Sequence, residues 1–293
     1  MQDTALVTVL CSCYNHQEFV TESIQSVLNQ TYKNIQIIVI DDKSNDNSIA
    51  VIEKFLLNYP EILLIKNKTN LGLTKSVTNA MNYVKGLYFI DLAADDLLLP
   101  NCIATQVETF QNSSFDRLAM VYGNAELIKE SGEHSSYYFE VNGALKTKNK
   151  IPSGDIYKHI INMNTTICSV SALYNKSIFD ELNGYDTNLS YEDFDYWIRA
   201  SRNYNIEFID EVLMQKRILP NSLQTTLYTK KNKNSDSTYI ILKKAYELNR
   251  NKFEHQTLIK RVNFEILNSY RTQNYILMLK NMYLRFQISL KTL

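Results

Sequence analysis

Asp95 and Asp96 stand side by side after an apolar run, and their type and spacing invite chemistry more than any other residues of this chain. Adjacent carboxylates repel each other unless a cation or hydrogen-bond donors compensate, and a hard divalent ion shared with phosphate oxygens is a common compensation. The plainer alternative is that they cap the helix expected after Pro100, where acidic residues are ordinary. On these residues alone both readings stay open. Two further acidic groups stand elsewhere: Asp41 with Asp42 after IQIIVI, and Glu192, Asp193 and Asp195 in YEDFDYW.

A rhythm of strands and helices must position these groups. Residues 5–13 read as a strand and residues 17–30 as a helix with Phe19, Val20, Ile24, Val27 and Leu28 on one side. Residues 35–40 form a near-continuous apolar run, as parallel strands buried on both faces require. Asp46 or Ser48 can cap the helix that follows. A strand at 62–66, a turn at 70–72, a helix at 74–85 stopped by Gly86, and a strand from Leu87 complete the pattern. Four strands alternating with three helices predict a mostly parallel, doubly wound sheet with its ligand crevice at the carboxyl ends of the strands. Those ends carry Ser12 to Asn15, Asp41 with Asp42, Lys66 to Asn70, and Asp95 with Asp96.

A dinucleotide site needs GxGxxG after the first strand, and here that turn is SCYNHQ, without glycine; a P-loop is absent too. Any phosphate-bearing ligand must then be held through a metal and side chains. Further along, residues 100–111 predict a helix, and residues 119–122 and 126–129 two strands around a Gly123-Asn124 turn. Residues 130–155 read as a loop or hairpin, 165–173 as β-like, 176–182 and 191–204 as helices, and 206–209 with 212–216 as closing strands. Polar residues 221–237 read as a linker, and residues from 238 onward have helical spacing.

The 293 residues are 45% apolar, enough for a real core, and carry no net formal charge, so no nucleic-acid partner is indicated. The charge is uneven. Residues 241–293 hold ten Lys or Arg against three Glu, about +7, which leaves the rest about −7. Cys11, Cys13, Cys102 and Cys168 have neither CxxC spacing nor scaffold density, and MQDTALVTVL lacks a cationic signal head, so a cytoplasmic protein with reduced thiols is expected. His16, His134, His159 and His255 are too scattered to suggest a metal site. No run approaches the roughly 20 apolar residues that span a bilayer.

From about Val7 to Ser222 the chain resembles the family 2 glycosyltransferases of the GT-A fold. The resemblance rests on CSCYN, SVLNQTYKNIQIIVIDDKSND, NLGL, KGLYFIDLAADDLLLP and YEDFDYWIRA, in that order. It implies a GT-A catalytic domain over residues 1–222, a linker over 223–237 and a basic helical extension over 238–293. The implied activity is inverting, metal-dependent transfer from a nucleotide-diphosphate sugar, taken as a UDP-sugar, to a glycan or lipid-linked hydroxyl in bacterial surface polysaccharide synthesis. Two other readings remain open: a non-catalytic sugar-nucleotide-binding or scaffolding protein, and a sugar-nucleotide nucleotidyltransferase, which would need a glycine-rich, Arg- or Lys-bearing first loop.

Carried over residue by residue, the resemblance places Ser12, Tyr14, Asn15, Asp42, Asn70, Ala94 and Asp96 against the nucleotide sugar. Asp95 becomes the ligand for Mn²⁺ or Mg²⁺, Asp193 the general base, and Glu192 its helper at the acceptor. Tyr14 as a packed wall and the three acids of YEDFDYW as partners of a helix dipole are the plainer readings of those residues. The chain departs from the family pattern twice: Ala93 replaces the first acid of the metal motif, and Leu219 stands near where relatives carry histidine. The basic tail suits an anionic membrane surface at the inner face of the cytoplasmic membrane, or packing on the catalytic domain or on a second copy.

Overall fold

The computed structural model describes residues 4–162, 167–219 and 233–292. Its first third follows the apolar runs. Strands β1 (Val7–Cys13), β2 (Ile35–Asp41), β3 (Leu63–Lys66) and β4 (Tyr88–Ala93) alternate with helices α1 (Val20–Leu28), α2 (Ser48–Leu56) and α3 (Leu73–Ala80). The strands pair in parallel in the order β3-β2-β1-β4. Val9, Leu10, Ile38, Val39 and Ile40 are fully buried, which is why these strands read as continuous rather than alternating apolar runs. The register sets Cys13 opposite Asp41, and Ser12 opposite Ala93, so the polar ends reach one edge together. Gly86 admits β4 to this position, because a Cβ there would stand 2.5 Å from Tyr88 O and 2.6 Å from Thr8 N.

The remainder extends the same sheet. Strands β5 (Leu97–Leu98), β6 (Leu118–Ile128), β8 (Ala172–Asn175) and β9 (Asn205–Arg217) continue it as β4-β8-β6-β9-β5, with β7 (His134–Tyr137) paired to β6. β8 is antiparallel to both neighbours and β6 is parallel to β9, so the sheet is α/β and mostly parallel, as expected. Helices α4 (Cys102–Asn112), α5 (Tyr157–Ile161), α6 (Lys176–Glu181) and α7 (Asp193–Ser201) accompany it. All four cysteines are free and buried.

Several expected elements differ. The Gly123-Asn124 turn does not form: β6 runs straight through it as one strand, and its register against β9 shifts between Tyr122 and Asn124. Gly123 is required because a Cβ would lie 2.5 Å from the Leu213 side chain, while Asn124 uses its amide to hold Phe139, accepting from its N–H and donating to its carbonyl. The two closing strands are likewise one, bulged where β6 is bulged. At the start of α2 the Asp46 Oδ1 accepts the Ser48 N–H at 2.9 Å, although the residue at the N-cap position itself is Asn47. Residues 169–171 form a 3-10 turn rather than strand, and α3 gives way to another at Met81–Tyr83.

At the carboxyl end, α8 (Lys233–Leu248), α9 (Lys252–Arg271) and α10 (Tyr275–Leu290) form a three-helix layer. Residues 223–232 of the expected linker lie outside the described residues, and the helix begins at Lys233 rather than at 238. Ile241, Leu242, Ala245, Leu258, Val262, Leu284 and Ile288 are buried in the same core as the sheet. Lys244 donates to Asp186 and Asp195 at 2.6 Å each, and Arg202 meets Glu254 at 3.0 Å. Among the described residues no helix is long and apolar enough to cross a membrane.

Candidate active site

The Asp95-Asp96 turn is built from backbone first. Ala94 buries its methyl and donates its N–H to Ser12 O at 2.9 Å, so it offers a ligand no side-chain chemistry. Asp96 is buried and its Oδ1 accepts the Arg217 N–H at 2.8 Å; burial and the neighbouring Asp95 push its carboxyl well up. Asp95 is the open member of the pair, with 15% of its side chain exposed, and faces His16 Nδ1 at 3.8 Å. Arg217 pins the turn from behind. Its guanidinium donates to Asp95 O at 3.1 Å, Glu130 O at 2.8 Å and Glu22 Oε2 at 2.9 Å, and its Cζ lies 4.5 Å over the Phe19 ring.

His16 Nδ1 is buried and has no hydrogen-bond partner, so this histidine belongs to the site's rim rather than to an unrelated surface. Among the described residues no group of three or more acidic, His or Cys side chains would hold an ion by itself. One open carboxylate with an orphaned imidazole nitrogen beside it fits Mn²⁺ or Mg²⁺ that takes its other oxygens from phosphate and water.

The next wall joins the loops after β1 and β2. Asn15, at a left-handed φ of 60°, accepts the Asn45 N–H at 2.7 Å and donates its own N–H to Ser44 Oγ at 3.0 Å. Tyr14 is 40% exposed, its hydroxyl accepting from Asn45 Nδ2 at 3.2 Å. Asp42 is buried and already engaged. Its Oδ1 accepts from Asn67 Nδ2 and Leu71 N, and its Oδ2 from Gly72 N, each at 2.8 Å. Asn70 adds Oδ1 to the Gly72 N–H at 3.1 Å, and Gly72 takes the positive φ of 81° that this loop needs. Only the remaining lone pairs of Asp42 are left for a nucleoside.

Glu192 and Asp193 stand at the start of α7. Thr74 Oγ1 donates to Glu192 Oε2 at 3.1 Å, and Asp193 accepts from Ser169 Oγ at 3.2 Å and from the Phe194 N–H at 2.6 Å. Burial, then the charges of Asp193 and Asp91, push the Glu192 carboxyl far above its ordinary range. Asp193 is raised by burial too, but the Phe194 N–H, Ser169 and the Lys216 ammonium oppose it. Asp91 completes the acidic floor: on β4, within 3.5 Å of Ser12 Oγ, burial raises it to about 7. A groove of about 420 Å³ opens beside this corner, lined in part by Thr74, Lys75, Asn188, Ser190 and Ser237.

Asp91, Thr74, Ser169, Lys216 and the fastening by Arg217 were not singled out by motif. Asp91 had a signal, a charged residue inside the strand on the face of Phe89 and Ala93, which the apolar run ending at Ile90 concealed.

The family model described as Glycosyl transferase family 2 matches residues 8–182, a span that stops short of Glu192 and Asp193. An uncharacterized glycosyltransferase of Haemophilus influenzae is 29% identical over 232 residues, 74% of this chain and 67% of that protein. The solved structure of S. aureus TarS 1–349 in complex with UDP-GlcNAc matches with a TM-score of 0.70 at 14% identity, over 97% of this chain and 81% of that one. Mannosyltransferase PcManGT from Pyrobaculum calidifontis, in complex with GDP-Man and Mn²⁺, gives 0.63 at 13% identity, over 96% and 74%. Likeness at those identities is likeness of fold, the GT-A type.

Proposed function

The chain belongs to glycosyl transferase family 2, and on that premise we propose that it moves a sugar from a nucleotide-diphosphate donor, a UDP-sugar, to a hydroxyl of a glycan or lipid-linked acceptor, with inversion. In this reading residues 1–222 carry the transfer, which serves bacterial surface polysaccharide synthesis on the cytoplasmic side. The observation that carries it is the split between two adjacent carboxyls. Asp193 accepts from Ser169 Oγ and the Phe194 N–H, donors that favour its charged form, whereas Glu192 accepts from Thr74 Oγ1 and is pushed up by burial and by the charge of Asp193.

Asp193 then accepts the acceptor's hydroxyl proton as the oxygen attacks the anomeric carbon. The bond from that carbon to the β-phosphate oxygen breaks, its electron pair staying on the diphosphate. With no enzyme nucleophile in the sequence of steps, one displacement gives the opposite anomer. Glu192, held by Thr74, orients the acceptor arriving along the adjoining groove. Ser12, Tyr14, Asn15, Asn70 and the free lone pairs of Asp42 face the nucleoside, with Asp96 holding the turn. A divalent ion at Asp95 would supply positive charge to the diphosphate. A screen of UDP-, GDP- and dTDP-sugars for nucleotide release with Mn²⁺ tests this reading, and release from none of them contradicts it.

We also infer that α10 meets an anionic membrane surface. Ile276, Leu279, Tyr283, Phe286 and Leu290 are each more than half exposed and recur along one side of a helix whose opposite side, Leu277, Leu284 and Ile288, is buried. Lys280, Arg285 and Lys291 border them in the segment of about +7 charge. An apolar stripe edged by cations matches the chemistry of an anionic lipid interface.

A further inference from the structure

We propose that Lys216 is the cation that meets the β-phosphate of the donor and takes up the charge left there when the sugar departs. The inference rests on the transfer reading above and concerns a residue that no motif supplied.

Side chains alternate across a strand. At the end of β9, Arg217 turns its guanidinium toward Phe19, Glu22 and the Asp95 carbonyl, so Lys216 is directed to the opposite face. Burial raises Asp96, Asp193 and the Cys168 thiol, and the Lys216 ammonium is near enough to each to oppose that push. The backbone sets it there: the Arg217 N–H meets Asp96 Oδ1 at 2.8 Å, so the end of β9 stands against the turn that carries the candidate metal ligand, with Lys216 on the side of the candidate base. The diphosphate of a bound donor must pass through that interval.

The other buried and half-buried cations around the site are already committed. Arg217 is tied to Glu22 and three backbone carbonyls, Lys244 to Asp186 and Asp195, Arg199 to Asp195, and Arg261 to Glu265. Lys216, half-buried, has no carboxylate within 4 Å and no side-chain hydrogen bond among the described residues. A partly desolvated ammonium costs free energy unless an anion answers it. The anion this crevice is built to receive is the diphosphate, and a compact charge with three donors suits a phosphate. As the anomeric C–O bond breaks and its electron pair moves onto the β-phosphate oxygen, the attraction to Lys216 grows, which is the condition for a group to speed the step. This also answers the Leu219 departure: the cation comes from the strand, three residues earlier, rather than from the loop.

Calorimetry with UDP and UMP, in EDTA so that no ion contributes, tests the assignment on wild type, Lys216→Met and Lys216→Arg, with GDP and GMP as a second pair. Lys216→Met is expected to weaken UDP about tenfold or more and UMP less than about twofold, while Lys216→Arg recovers most of the UDP affinity. Equal weakening of UDP and UMP, or no weakening of either, overturns the inference and leaves the transfer reading standing. Wild type that binds neither UDP nor GDP even with Mn²⁺ restored removes that reading and the inference with it, and binding that appears only with Mn²⁺ overturns the inference alone. Lys216→Gln serves as the neutral variant if Lys216→Met does not fold, as judged by its thermal midpoint.

Discussion

Gly72 donates its backbone N–H to Asp42 Oδ2 at 2.8 Å, which ties the loop before α3 to the end of β2 before any ligand arrives. With Leu71 and Asn67 on the other oxygen, Asp42 is a structural clasp as well as a candidate nucleoside contact. Asp42→Ala should therefore lower unfolding free energy by roughly 3 kcal/mol, since hydrogen bonds to a charged group contribute more than neutral ones. It should weaken UDP and UDP-sugar equally. Urea unfolding and calorimetry check the two effects; loss confined to the sugar-bearing ligand would move Asp42 to the sugar site.

Arg217 and Glu22 form a pair of unequal partners, the guanidinium buried and the carboxylate 57% exposed. Removing the buried member strands carbonyls of Asp95 and Glu130, so Arg217→Met should cost about 3 kcal/mol. Glu22→Ala should cost under about 1 kcal/mol, as exposed ion pairs do. Comparable losses for the two variants in denaturant melts would mean that the ion pair, not the backbone fastening, holds the turn.

Asp91 makes a signed prediction about pH. Its folded-state carboxyl sits near 7 against an ordinary 3.8, so the folded protein favours the protonated form. Its contribution is then fully present below about pH 4 and is lost as pH rises toward 7. The thermal midpoint of wild type, taken relative to Asp91→Asn, should fall across that window and level off above it. A difference that rises with pH would show that Asp91 is stabilised as a carboxylate.

For the carboxyl-terminal layer, a truncation at residue 232 would strip Ile241, Leu242 and Val262 from the shared core, so the outer face of α10 must be altered instead. Leu279, Tyr283 and Phe286, all changed to Ser, should keep the fold and reduce sedimentation with vesicles containing phosphatidylserine. Unchanged vesicle binding together with loss of a dimer in light scattering would assign that face to a second copy of the chain.

The convergence of Ser12, Asp42 and Asp95 on one edge was legible because buried parallel strands announce themselves by unbroken apolar runs, and their carboxyl ends must then lie together. The role of Arg217 was not, since its partners are carbonyls and a carboxylate brought from 87 to 195 residues away. Gly123-Asn124 reads as a turn by local preference, yet packing of Leu213 over Gly123 and capture of Phe139 by Asn124 keep the strand going. Helical spacing revealed α8 to α10, whereas the choice of buried face depended on contacts such as Lys244 with Asp195.

The most direct test of the account is turnover by Asp193→Asn in the presence of Mn²⁺ and whichever nucleotide sugar the wild type accepts. Asparagine keeps the shape and can still accept from Ser169, but it takes no proton. Nucleotide-sugar affinity should be unchanged and kcat lower by about 10²- to 10⁴-fold, the size of a general-base contribution. Transfer within a few-fold of wild type would contradict it, because the proton would then be leaving by another route.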